Sequence, residues 1–106
     1  MTTVETEQII QRVVAKHVDM KEAYVFLFGS RASGREVRAS DYDVGIYQGS
    51  PIPFVVFAKI HDELEEYPIP VHVDLVDFAT VSEGFKRLAL KEVKIWNKPK
   101  KPLLLI

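Results

Sequence analysis

The sequence predicts an α/β (α+β) fold, a small mixed β-sheet with helices packed on one face and the opposite face left open. Three observations carry this prediction. Amphipathic stretches alternate with short apolar runs in the order helix, strand, short helix, strand, helix, strand, helix. The runs at 42–48 and 71–77 alternate aliphatic with polar or charged residues, the pattern of strands covered on one side only. The run at 24–28 is apolar on both sides, which marks a central strand.

Each element has its own justification. From Val4 to Val18, Ile9, Ile10, Val13, Val14, His17 and Val18 recur at helical spacing, with Glu5, Glu7, Gln11, Arg12 and Lys16 on the other side. The first strand, Ala23 to Phe28, is rich in aromatic and branched residues that favour extended structure. Ser30 is a good helix cap and Gly34 a good terminator, so a short helix follows, with a return loop at 35–40. In the second strand Tyr42, Val44 and Ile46 point one way while Asp41, Asp43, Gly45 and Tyr47 point the other. Gly49-Ser50-Pro51-Ile52-Pro53 turns the chain into a helix from Phe54 to Glu66, with Val55, Ala58, Ile60 and Leu64 as inward candidates. Its acidic run, Asp62, Glu63, Glu65 and Glu66, reads as solvated surface, and Tyr67-Pro68-Ile69-Pro70 ends it.

In the third strand, Val71 to Asp77, Val73 and Leu75 share one face while His72 and Asp74 share the other. Thr80, with Glu83 three residues on, suggests a capping box that opens a helix running to about Lys91 and burying Phe85, Leu88 and Ala89. Val93 to Trp96 adds a short edge strand, and Pro99 and Pro102 make the tail irregular. Residues 1–106 are expected to form one domain, with the core motif at 24–77 and an apolar tail at 97–106.

Composition narrows the functional classes. Fourteen basic and fifteen acidic side chains give a net charge of −1, which argues against a broad electrostatic footprint for nucleic acid. Arg31, Arg35 and Arg38 nevertheless gather around the Gly-Ser turn, while Lys94, Lys98, Lys100 and Lys101 read as solvated surface. No apolar run approaches the length of a membrane span, and Met1-Thr2-Thr3-Val4-Glu5 lacks the features of a signal peptide, so a cytoplasmic location without membrane association is expected. There is no cysteine from which to read a redox compartment.

The chemistry lies between Tyr24 and Tyr47. A strand that ends in Gly29-Ser30 directs backbone N–H groups and a hydroxyl at one spot, a geometry suited to phosphate oxygens. Asp41 and Asp43, at alternate strand positions, share a face about 7 Å apart at the backbone. Asp74 joins them if the second and third strands are neighbours, whereas Asp77 has the opposite parity. Three carboxylates so close would repel one another, which favours a bound divalent cation, and magnesium suits hard oxygen donors.

Gly29-Ser30-Arg31-Ala32, followed by Ser40-Asp41-Tyr42-Asp43-Val44 and a later strand aspartate, resembles the signature of the DNA polymerase β-like nucleotidyltransferase superfamily. Within it the chain looks most like the minimal nucleotidyltransferases (MNT proteins), which consist of little besides the catalytic core. The resemblance implies a two-metal transfer. Asp41 and Asp43 would hold the nucleotide-bound metal and share the second ion, and Asp74 would ligate that ion and help remove the acceptor proton. Gly29 and Ser30 would bind the triphosphate of ATP or another nucleoside triphosphate, and Arg31 would neutralise charge on the leaving pyrophosphate. MNT proteins are typically paired with a helical HEPN-domain toxin. The resemblance therefore implies an Mg-dependent protein adenylyltransferase, the antitoxin of a type VII toxin–antitoxin system, that moves AMP to a toxin tyrosine.

Plainer readings stand beside these. Ser30 can cap the short helix as well as touch phosphate, Arg31 can be an ordinary surface arginine, and His72 a structural histidine. The basic residue often found after Gly-Ser-Arg-Ala is Ser33 here, and Arg35 is the candidate to replace it. Leu103-Leu104-Leu105-Ile106 either packs back on the domain or meets another chain. Two other functions fit the same residues: a non-catalytic antitoxin that neutralises its partner by binding, and a nucleotidyltransferase acting on a small molecule.

Overall fold

The computed structural model describes residues 1–35, 40–101, 103 and 104. Eight elements follow one another: α1 (Thr3–His17), β1 (Tyr24–Phe28), α2 (Ser30–Ser33), β2 (Tyr42–Tyr47), α3 (Phe54–Leu64), β3 (Val73–Asp77), α4 (Glu83–Ala89) and β4 (Lys94–Asn97). They build the expected mixed α/β fold around a four-stranded sheet in the order β3-β2-β1-β4. β1 pairs antiparallel with β2 and with β4, whereas β2 and β3, joined through α3, run parallel. A helix is the usual crossover between parallel neighbours, and among the described residues the one parallel pair has α3 between its strands.

The side chains sort by strand parity. Val25 and Leu27, Tyr42, Val44 and Ile46, and Val73 face a core closed by Ile10, Val13 and Val14 of α1 and Ile60 and Leu64 of α3. Thr2 starts α1 with a reciprocal capping box to Glu5. Glu63 ties the two helices together, accepting from Lys16 Nζ at 2.6 Å and meeting His17 Nε2 at 2.9 Å. Glu63 therefore departs from the solvated-surface reading of the acidic run. Within α3, Val55 is exposed rather than inward, and Val56 and Phe57 pack against the core.

The opposite face is open only at one end. Farther along it, Phe26, Phe28 and Phe78 form an aromatic cluster, with Phe26 and Phe78 edge-on at 4.8 Å between centroids. Gly45, paired with Phe26, makes this possible, because a Cβ there would run into the Phe26 and Phe78 rings. From α4, Phe85 meets Phe28 and Phe78 at 6.0 and 5.9 Å. The cap of α4 is Ser82, whose hydroxyl accepts from the Phe85 N–H, not Thr80, whose hydroxyl donates to the Asp77 carbonyl. Leu88, expected to be buried, is 67% exposed.

β4 is the expected edge strand, and Asn97 anchors it by donating from Nδ2 to the Met20 and Ala23 carbonyls. In the tail, the Leu103 carbonyl accepts from the Tyr24 hydroxyl and Leu104 is exposed. Arg38, most of the return loop, Leu105 and Ile106 lie outside the described residues. Among the described residues, no helix is long and apolar enough to cross a membrane.

Candidate active site

The open end of the second face lies where β1 finishes and β2 and β3 begin. Phe28, the last residue of β1, pairs with Asp43, so Gly29 emerges directly against the Asp43 side chain. Gly29 adopts φ 75° and ψ −155°, a conformation that is essentially restricted to glycine. A Cβ at this position would also collide with the Asp43 carboxylate. Two independent constraints thus require glycine here. The turn it makes starts α2, with the Ala32 and Ser33 N–H groups on the Gly29 carbonyl and the Gly34 and Arg35 N–H groups on that of Ser30.

Asp74 lies beside Asp43 because the parallel β2–β3 register pairs the two residues directly. Adjacent strands are about 4.8 Å apart, and paired residues share a face. Asp41 precedes β2 on the same parity and is exposed. Burial pushes the Asp43 carboxyl above its usual range, and the negative charges of Asp74 and Asp41 push it further; His72 works in the opposite direction. His72 shares this face, as its parity predicts, and its Nε2 lies 2.7 Å from Asp74 Oδ1. An ionised carboxylate only accepts, so Nε2 carries the proton in this contact.

These residues suit a divalent cation in donor type and charge. All three carboxylates offer hard oxygens, and a cation would relieve the repulsion from Asp74 and Asp41 that adds to burial in raising the Asp43 carboxyl. They do not form a finished cage: among the described residues, no three acidic or histidine side chains are gathered closely enough to hold a metal ion as they stand.

Ser30 opens α2 next to this corner. Arg31 turns to the other side of the sheet: its Nε donates to the Ser40 carbonyl at 2.9 Å, and its guanidinium stacks 4.1 Å above the Tyr42 ring. The structure thus brings Gly29, Asp43 and Asp74 together but not Arg31. Asp77 is occupied structurally, with its carboxylate accepting from the Ile52 and Ala79 N–H groups. Arg35 pairs with Glu92 at 3.3 Å.

Hollows flank the carboxylates on both sides. A cleft of about 370 Å3 adjoins Gly29, between β1 and α4. A groove of about 600 Å3 runs past Asp74 between β3 and α3. The spacing of Phe85, Leu88 and Ala89 reads as core, so the sequence did not signal the cleft beside Gly29, whereas strand parity had already placed His72 and Asp74, which line the groove, on the site face.

The model of the family described as "Polymerase beta, Nucleotidyltransferase" matches residues 7–101, which include every strand and helix described above except the start of α1. The chain belongs to the polymerase beta nucleotidyltransferase family. Members of this kind generally work with divalent metals. Over 67 residues the chain is 36% identical to a protein described as "probable protein adenylyltransferase MntA" of Haemophilus influenzae; the match spans 63% of this chain and 59% of that protein. Among solved structures, a toxin–antitoxin with AMP-PNP superposes with a TM-score of 0.70 at 22% identity, covering 87% of this chain and 73% of that one. A tri-AMPylated Shewanella oneidensis HEPN toxin in complex with MNT antitoxin gives 0.68 at 18% identity, covering 92% and 74%. At such identities these structures establish a shared nucleotidyltransferase fold.

Proposed function

We propose that this chain is a nucleotidyltransferase that moves AMP from ATP to a hydroxyl of a protein acceptor, a tyrosine of a HEPN toxin, and acts as the antitoxin of that pair. The observation that carries the reading is the registered pairing of Asp43 with Asp74 beside the constrained Gly29 turn. The similarity to MntA supports the acceptor class.

The roles follow from position. Asp41, Asp43 and Asp74 would hold magnesium, two ions by the family's pattern, and the metal would supply charge neutralisation at the reacting phosphate. Gly29 and Ser30 bind the triphosphate. The acceptor oxygen forms its bond to the α-phosphorus while the bond from that phosphorus to the bridging oxygen breaks, and pyrophosphate departs with the bond's electron pair. Asp74 takes the acceptor proton, and the His72 contact fixes which of its oxygens stays free for the task. Arg31 reaches the leaving group only by releasing Tyr42, so its role requires a rotation.

The test is an intact-mass measurement of a HEPN-domain partner after incubation with the protein, magnesium and each nucleoside triphosphate in turn. A gain of AMP units with ATP is expected, abolished by Asp41→Asn combined with Asp43→Asn. A metal-loaded protein that leaves the partner unmodified with all four nucleotides would sink the proposal.

A further inference from the structure

We infer that Arg31 is a positioning residue for Asp41, which it holds from the helix-covered side of the sheet through the two residues that flank it; this rests on the nucleotidyltransferase reading and gives Arg31 a task that needs no rotation. The first support is a difference between the carboxylates. Asp43 is held by both strand ladders, paired with Phe28 of β1 and with Asp74 of β3. Asp41 lies before β2 and beyond the last pair of either ladder, since the β1–β2 register ends at Asp43 and the β2–β3 register at Tyr42. The sheet therefore leaves the orientation of Asp41 to contacts made at its flanks.

Those contacts are the second support. The peptide that follows Asp41 is tied to the start of the third strand, with the Tyr42 N–H donating to the His72 carbonyl at 3.0 Å. On the other side, Arg31 Nε donates to the Ser40 carbonyl at 2.9 Å. That carbonyl shares one planar peptide with the Asp41 N–H, so fixing it fixes the plane that enters Asp41. With both flanking peptides held, the Asp41 carboxylate stays close enough to Asp43 for its charge to be felt there.

The third support is the way Arg31 is itself held. Its guanidinium stacks 4.1 Å above the ring of Tyr42, a side chain that is fully buried, and a cation is attracted to the electron-rich face of such a ring. Arg31 lines a hollow of about 490 Å3 with Thr3, Thr6 and Val71, and lines neither of the hollows that flank the carboxylates. Because Arg31 belongs to α2, which the Gly29 turn starts, its bond to Ser40 also ties that turn to the entrance of β2. A planar guanidinium can lie flat on a ring while its Nε–H points sideways at a carbonyl; a lysine ammonium carries the same charge but cannot do both. Neutralising a leaving group needs only the charge, and would break both contacts.

Manganese binding without nucleotide, followed by electron paramagnetic resonance, tests the assignment in wild type, Arg31→Lys and Arg31→Gln. Both variants are expected to bind manganese about tenfold more weakly, the scale of losing a group that orients a metal ligand. Charge alone predicts otherwise: lysine keeps the charge, so affinity would stay, and glutamine removes a positive charge, so affinity for a cation would rise. Amide hydrogen exchange supplies a second readout. The Tyr42 N–H should exchange faster in both variants while that of Val44 is unchanged, which separates local release from general destabilisation. Manganese affinity no weaker than wild type in both variants overturns the positioning role and leaves the nucleotidyltransferase reading in place. A wild type that binds no manganese overturns both.

Discussion

Gly29 shows how one residue can answer to two demands. Its backbone requires positive φ, and its Cβ position is already filled by the Asp43 carboxylate. Gly34 provides an internal control: it too has positive φ, 76°, but nothing lies within 4 Å of an added Cβ. Gly34→Ala should therefore cost only backbone strain, about 1 kcal/mol. Gly29→Ala should cost more, up to about 3 kcal/mol, and should also displace Asp43 and weaken metal binding. Urea denaturation of the two variants, read with a manganese titration, checks this; equal costs and intact metal binding would refute it. At this scale the sequence was informative about the carboxylates, since alternation separated Asp74 from Asp77 and would bring Asp74 to Asp43 once the second and third strands pair, as they do. It was uninformative about Arg31, because a long side chain swings about its own bonds, and the attraction of the Tyr42 ring is not encoded in any spacing.

Among the elements, the pairing of α1 with α3 carries a pH dependence that can be worked out. The hydrogen bond from Lys16, then that from His17, holds the Glu63 carboxyl below its usual range, opposed weakly by desolvation. A folded-state pKa below the unfolded one means that the unfolded chain binds the proton first. The contribution of Glu63 is thus fully present above the unfolded value, about 4.3, and fades as the pH falls through the lower folded value. Glu63→Gln lacks this contribution at every pH. Wild type should be the more stable at neutral pH, and the difference should shrink as acid is added; thermal unfolding of both proteins from pH 7 to 3 tests it, and a constant or widening gap would contradict it. Glu63 also marks the limit of reading elements from sequence. Helical periodicity assigned α1 and α3 correctly and identified Ile60 and Leu64, because burial of one stripe follows from local spacing. Whether a neighbouring element covers a stripe does not, so Glu63, read as solvated surface, is half-buried against α1, and Leu88, read as core, is exposed.

For the molecule as a whole, the candidate site is a local stability cost. The core between the sheet and α1 and α3, and the aromatic cluster, are buried, while three like charges gather at the open end. Because the Asp43 carboxyl is raised in the folded state, its ionised form at neutral pH disfavours folding, and protonation or a cation relieves that penalty. Two consequences follow from the same sign. Asp43→Asn should stabilise the metal-free fold by less than about 1 kcal/mol, because solvent reaches the group, and so raise its midpoint of thermal unfolding. A divalent cation should raise the wild-type midpoint, since it binds the folded state: at about ten times its dissociation constant the gain is roughly 1.4 kcal/mol, on the order of 5 °C for a chain of this size. Asp41→Asn combined with Asp43→Asn should be stable without metal and should not respond to it. Thermal unfolding with magnesium, manganese or a chelator, in wild type and variants, reads both effects together. A wild type insensitive to either cation, or an Asp43→Asn variant less stable than wild type in chelator, would mean that burial and repulsion do not penalise the ionised Asp43 carboxylate, and the metal assignment would have to be abandoned.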